Sequence, residues 1–210
     1  MFRLISATSS PYARKVRIAL TEKALPFELI TEVPWHNTTQ TPKYNPLEKL
    51  PVLLTPDGDS IYESSYILQY LELKYPDPPL LPPDIDGLLA ARKLEVLCDG
   101  ICDAFVLIFF ERMRENGRSA VWLERQQRKI DNGLEELARL IGPRRWAVGD
   151  QLGLGDIATG TLLAYFDIRN PALDWRKRHP NLAAYCDRLA QHPSFRSSVP
   201  VPQVINEKVV

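Results

Sequence analysis

The segment Tyr75-Pro76-Asp77-Pro78-Pro79-Leu80-Leu81-Pro82-Pro83-Asp84 holds five of the chain's 18 prolines. Proline lacks the backbone N–H and fixes φ, so this stretch neither continues a helix nor pairs inside a sheet. It separates two regions of different hydrophobic period. Before it, short alternating apolar runs mix with one-faced helical runs; after it, only the helical period appears. A chain of 210 residues is long enough for two modest units sharing an interface. The expected organisation is therefore an α/β domain over residues 1–75, a proline-rich linker over 76–84 and an all-α domain over 85–210.

In the first region, Phe2 to Ser6 reads as a strand, and the pattern Ala13, Val16, Ala19, Leu20 reads as a helix opening at Pro11. Pro11 suits a first helical position because its missing N–H would be unpaired there anyway, and Ser10 is a favoured N-cap. Phe27 and Leu29 follow the break at Pro26 as a second strand, which completes a β-α-β unit with parallel strands. Pro34 to Asn45 carries no clean period and predicts irregular backbone or a short helix. Val52–Thr55 and Ser60–Glu63 flank Pro56-Asp57-Gly58-Asp59, a hairpin signal. Ile67, Tyr70, Leu71 and Lys74 then predict a helix up to Tyr75-Pro76. Beyond the linker, Leu88 to Glu115, then Ile130, Leu134, Leu137 and Ile141, then Leu182, Tyr185 and Leu189 follow helical spacing. Asp156 to Phe166 is apolar nearly all round, the mark of a helix buried among others.

Charge excludes some classes of partner. Basic and acidic residues number 26 each, so no overall positive field draws the chain to nucleic acid or acidic lipid. Met1 to Thr8 lacks the charged and apolar regions of a signal peptide, and no run reaches membrane-spanning length, so a cytoplasmic location is expected. Cys98, Cys102 and Cys186 have no metal-ligand spacing and read as reduced packing residues. His36, His179 and His192 are too scattered for a metal cluster or a hydrolase triad, so no metal is expected.

Two places carry the chemistry. The free N–H groups and dipole of a helix N-terminus favour negative charge, so a sulfur beside Ser10 is favoured as thiolate. A fall of about two pH units from a thiol pKa of ~8.5 corresponds to about 2.7 kcal/mol and leaves most of the sulfur ionised near neutrality. The plainer alternative is that Ser10 is only an N-cap. The second place is Asn45-Pro46-Leu47-Glu48-Lys49-Leu50-Pro51-Val52-Leu53-Leu54, where a proline stands directly before a strand with central neighbours. A cis Leu50-Pro51 bond turns the Leu50 backbone outward to pair with another peptide; a trans bond makes Pro51 merely the first residue of a strand.

These segments together resemble the cytosolic glutathione transferases, over essentially the whole chain. Residues 45 to 53 match that family's N-P-L-x-K-[VIL]-P-[VA]-L segment, whose last proline is cis, at every position. Glu63-Ser64 followed by Ile67, Tyr70 and Leu71 fits its Glu-Ser-x-x-I-x-x-Y-L pattern. The resemblance implies a thioredoxin-like N-terminal domain, an all-α C-terminal domain and a homodimer, in the manner of the family's bacterial serine-type members. It makes the Leu50 main chain the partner of the cysteinyl part of glutathione, ahead of Pro51. It gives Glu63 and Ser64 the γ-glutamyl end and Lys49 the glycyl carboxylate. Ser10 faces the sulfur, with Ser9 as its rival. By helix alignment, Asp103 reaches the γ-glutamyl amine across a subunit boundary.

The expected activity is conjugation of glutathione, as co-substrate, to a hydrophobic small electrophile, a detoxification chemistry. Alternatives are a non-enzymatic interaction module of the same fold, or a glutathione-dependent isomerase, dehalogenase or ether-cleaving enzyme. Serine before Pro11 excludes a mixed disulfide at that position. Maleylacetoacetate-isomerising branches usually place cysteine where Tyr12 stands, so that role is not assigned. Gly153 replaces the hydroxyl cap of the family's buried helix, leaving Asp156 as its cap. Phe105, Phe109, Phe110 and Tyr165 are candidates for the co-substrate pocket or for the core.

Overall fold

The computed structural model describes residues 1–170 and 173–209. Its first part runs β1 (Phe2–Ser6), α1 (Pro11–Glu22), β2 (Phe27–Thr31), β3 (Val52–Leu54), β4 (Ser60–Tyr62) and α2 (Ser64–Lys74). β1 lies parallel to β2 and antiparallel to β3, which pairs antiparallel with β4, giving the order β2-β1-β3-β4. This mixed sheet, with the expected order of elements, is thioredoxin-like. The register sets Leu4 opposite Leu29 and Leu53, and Leu53 opposite Ile61. Side chains alternate across a strand, so Leu4, Leu53 and Ile61 share one face. They pack there with Val16 and Leu20 of α1 and Ile67 of α2. Ile5, Val52 and Leu54 point to the other face, beneath Tyr44, Leu50 and Tyr62. The segment ahead of β3 thus covers the second face, and β3 is buried along its length. Residues 34–45 contain one 3-10 turn, Thr41–Lys43. The Leu50-Pro51 bond is cis.

The second part is helical: α3 (Ile85–Met113), α4 (Ala120–Ile141), α5 (Leu154–Arg169), α6 (Trp175–Arg178), α7 (Pro180–Ala190) and α8 (Pro193–Arg196). α5 is buried on nearly all sides, as its pattern requires, against α1, α3 and α7. Its start is capped without a hydroxyl. The Asp156 carboxylate accepts the Gly153 N–H at 2.9 Å and the Ala147 N–H at 2.9 Å, and the Tyr185 hydroxyl also donates to it. Burial pushes this carboxyl up and the Tyr185 bond opposes that. α3 and α4 approach closely at Gly133, where a Cβ would stand 2.5 Å from Ile101. The chain reaches this tightness by leaving the side chain out.

α1 links the two parts through buried cations. Lys15, 1% exposed, points its Nζ at both Asp99 oxygens at 2.7 Å and at Glu95 at 3.5 Å. Burial alone lowers the Lys15 pKa, but the two carboxylates more than reverse this, so the ammonium stays charged. Burial pushes the Asp99 carboxyl up to about 6, against the pull of Lys15. Lys23 at the other end of α1 pairs with Glu72 at 2.7 Å and donates to the Tyr75 and Pro78 carbonyls of the proline-rich segment. Removing the Lys15 cation leaves Asp99 without its partner and Glu95 with Arg92 alone, at 2.9 Å. Lys15→Met is therefore expected to lower the unfolding free energy by about 3 kcal/mol in urea titration; a loss below about 1 kcal/mol would show that the clasp adds little.

Candidate functional site

A cavity of about 470 Å³ opens where the sheet-bearing part faces α3 and α5. Three separated segments meet on one wall: the start of α1, the run ahead of β3 and the start of α2. They bring Ser10, Lys49, Leu50, Pro51, Glu63 and Ser64 to the lining, and Asp103 of α3 lies on the facing wall. The residues nominated for glutathione thus border the same space. A larger cleft, about 780 Å³, lies between Glu22, the 78–80 segment and residues 144–152, and none of the nominated residues lines it.

Ser10 caps α1, its Oγ accepting the Ala13 N–H at 3.2 Å. A hydroxyl that accepts one bond still has its own proton to donate, here toward the cavity at the positive end of α1. Ser9 is 3% exposed and its Oγ accepts from Arg169 Nη2 at 2.8 Å. The run ahead of β3 is shaped by Asn45, 1% exposed. Its amide donates to the Lys49 carbonyl at 2.8 Å and its carbonyl oxygen accepts the Leu47 N–H at 2.9 Å. The Leu50 N–H and C=O make no hydrogen bond to any described residue. Both are main-chain groups with strong bonding demand, beside an open cavity. Glu63 adopts φ 71°, a left-handed value costly for a side-chain-bearing residue. Its carboxylate accepts the Ser65 N–H at 3.2 Å and the Ser64 hydroxyl at 3.1 Å. Lys49 is exposed at the rim.

On the α3 wall, the Tyr12 hydroxyl donates to the Asp103 carboxylate of the same chain. Asp103, expected from helix alignment to reach across a subunit boundary, lines the cavity of its own chain on the face of α3 turned toward Tyr12. Phe109, Phe110 and Tyr165 also line it, whereas Phe105 packs in the core against Tyr165 and Phe166. Trp35 adds to this wall, its ring centroid 4.3 Å from that of Phe110. Burial pushes the Tyr165 hydroxyl up to about 12, with Arg169 pulling the other way.

Sequence reasoning missed Tyr12 as a lining residue, and also Trp35, Arg169, Gln203 and Ile205. Only the last two belong to an extended tail, and that tail is held by Val201 bonding Thr8, Gln203 bonding Glu32 and the Asn206 N–H bonding His36. No local signal in the sequence marks such contacts.

Cys98, Cys102 and Cys186 are unpaired and buried, and burial pushes the Cys98 thiol up to about 12. Among the described residues, no three His, Cys, Asp or Glu side chains converge as a metal site. No helix among them is long and apolar enough to cross a membrane.

Comparison with known proteins matches residues 4–79 to the glutathione S-transferase N-terminal domain and residues 120–188 to the glutathione S-transferase C-terminal domain. The chain is 33% identical to YibF of Escherichia coli K12, an uncharacterized GST-like protein, over 94% of this chain and 98% of that one. It is 31% identical to a maleylacetoacetate isomerase of Pseudomonas aeruginosa, over 96% and 97%. A glutathione S-transferase crystal structure from Methylobacterium radiotolerans, in complex with glutathione sulfonate, superposes with a TM-score of 0.97 at 69% identity, covering 100% of this chain and 99% of that one.

Asn45 holds the run that presents Leu50, and its amide is buried. Asn45→Ala is expected to cost about 2 kcal/mol of stability. Amide exchange at Leu47 to Leu50 should also accelerate by an order of magnitude or more; unchanged exchange there would mean that the run is shaped by other contacts.

Proposed function

Because the chain belongs to the glutathione S-transferase family, we propose that it binds glutathione along the Leu50 main chain and activates the thiol beside Ser10 for attack on a hydrophobic electrophile. The observation that carries this reading is the pair of unbonded Leu50 main-chain groups next to the capped N-terminus of α1 in one cavity. A peptide ligand lying antiparallel to Leu50 satisfies both groups. The same placement leaves its γ-glutamyl end at Glu63 and Ser64, with the Asp103 carboxylate on the facing wall, and its glycyl carboxylate within the field of Lys49. Glutathione sulfonate in the Methylobacterium relative, an anion in place of the thiol, supports a site suited to negative charge at the sulfur position.

In the reaction, the bound thiol loses its proton to solvent, and the thiolate is stabilised by the Ser10 O–H and the α1 N-terminus. Its electron pair forms the carbon–sulfur bond while the leaving group departs with the electrons of the bond it breaks. Holding both partners in one cavity supplies the proximity contribution. Phe109, Phe110, Trp35 and Tyr165 form the apolar side for the electrophile. The likeness to a maleylacetoacetate isomerase supports the second reading, in which glutathione adds to and then leaves a substrate whose double bond has rotated. Tyr12 at the position where that branch usually carries cysteine favours the first.

The division into 1–75, 76–84 and 85–210 is part of this proposal, supported by one family model that ends at residue 79, inside the proline-rich segment, and a second that covers 120–188. We also take the protein to be a cytoplasmic homodimer. Support comes from Ile85, Leu89 and Val96, which are 76%, 58% and 72% exposed. Their spacing places them on one face of α3, and Tyr66 and Leu73 of α2 are exposed as well.

Calorimetry should detect glutathione binding below millimolar concentration; no heat and no competition at that level would defeat the reading. Ser10→Ala is expected to raise the pKa of the bound thiol by about one to two pH units and to lower kcat/KM by 10-fold or more, with glutathione affinity changed less than threefold. A conjugation rate unchanged by Ser10→Ala would point to Ser9 or to an interaction module. Light scattering at micromolar concentration should give twice the chain mass, and Val96→Glu should shift it toward one chain.

A further inference from the structure

Arg169 ends α5 and lines the cavity on the same side as the aromatic wall. Its guanidinium lies over the Phe109 ring at 4.7 Å and over the Tyr165 ring at 5.9 Å. Nη2 donates to Ser9 at 2.8 Å, while Nε is buried without a hydrogen-bond partner among the described residues. No carboxylate among the described residues pairs with it. The nearest acidic residue in sequence, Asp167, is engaged by Arg176 at 2.6 Å and by the Trp175 indole N–H at 3.0 Å. A planar cation with five donors is therefore held against aromatic rings, its orientation set by Ser9 and Tyr165, with no carboxylate partner among the described residues.

A neutral apolar molecule in this half of the cavity would cover those donors without bonding them, and covering an unpaired charge opposes binding. A carboxylate meets them two at a time with the geometry guanidinium prefers. Lys49 stands at the rim, at the run ahead of β3, and so leaves glutathione's own glycyl carboxylate a different cation.

We infer that Arg169 anchors a carboxylate of the electrophilic co-substrate, so that the cavity selects anionic electrophiles over neutral ones of the same shape. This rests on the glutathione-binding reading above. Arg169 holds the charged end of the molecule, the rings hold its apolar part, and the electrophilic carbon lies between Arg169 and the sulfur beside Ser10. The arginine takes no part in bond making; it sets which molecules are presented and in which direction.

Two matched pairs of thioethers test this without turnover: S-(2-carboxyethyl)glutathione against S-propylglutathione, and S-(4-carboxybenzyl)glutathione against S-benzylglutathione, each titrated calorimetrically at low salt with glutathione as control. In at least one pair the carboxylate member should bind 10-fold or more tightly. Arg169→Met should abolish that preference while leaving Kd for glutathione and the apolar members within threefold, and Arg169→Lys should retain part of it. No preference in either pair, or a preference that survives Arg169→Met, overturns the inference and leaves the glutathione reading standing. So does an equal loss of glutathione and conjugate affinity in Arg169→Met with an unchanged circular dichroism spectrum, since that would assign Arg169 to glutathione itself. Undetectable binding of glutathione and all four conjugates to the unmodified protein defeats the glutathione reading, and this inference with it.

Discussion

A single buried ammonium, Lys15, sets the geometry on which the cavity depends. It lies on the face of α1 that meets α3, and Asp99 and Glu95 converge on it from one turn apart. Fixing that contact fixes the phase of both helices. One turn away the same faces bring Tyr12 against Asp103, and the N-terminus of α1 then opens toward the space bounded by α3 and α5. Apolar packing alone constrains helix rotation loosely because it is not directional. A charge that must find its partners within hydrogen-bonding distance constrains it tightly.

The start of α5 and the cavity differ in how their polar groups are satisfied. Asp156, at the start of the most buried helix, accepts two backbone N–H groups and a tyrosine hydroxyl. At the cavity, among the described residues, the Leu50 main chain is unbonded and Arg169 Nε has no partner, and Glu63 holds a left-handed φ. Each costs stability in the free protein, and each is a group that a ligand of the right shape can complete. Their gathering in one place is what distinguishes the smaller cavity from the larger cleft near residues 144–152.

How much of this was legible in the sequence follows from the range of the interactions involved. The strands, the Asp57-Gly58 hairpin, the Ser10-Pro11 helix start and the exclusion of regular structure from 75–84 rest on forces within a few residues, and they read directly. Pro51 was informative because it contradicted its setting, a donor missing where a central strand begins. The pairing of Arg169 with Ser9, of Trp35 with Phe110 and of Tyr12 with Asp103 spans long stretches of chain, and nothing local to any of them announces the partner. Asp103 was found by helix alignment, and within its own chain its place opposite Tyr12 spans 91 residues that carry no local sign of it.

The join between the sheet-bearing and helical parts has a consequence for descent. Lys15 and Tyr12 come from one side of the proline-rich segment, and Asp99 and Asp103 from the other. An exchange of genetic material within that segment would place a lysine from one lineage against a helix from another, stranding its charge. The two halves are therefore bound to be inherited together, and a crossover tolerated there must bring compatible residues at all of these positions at once.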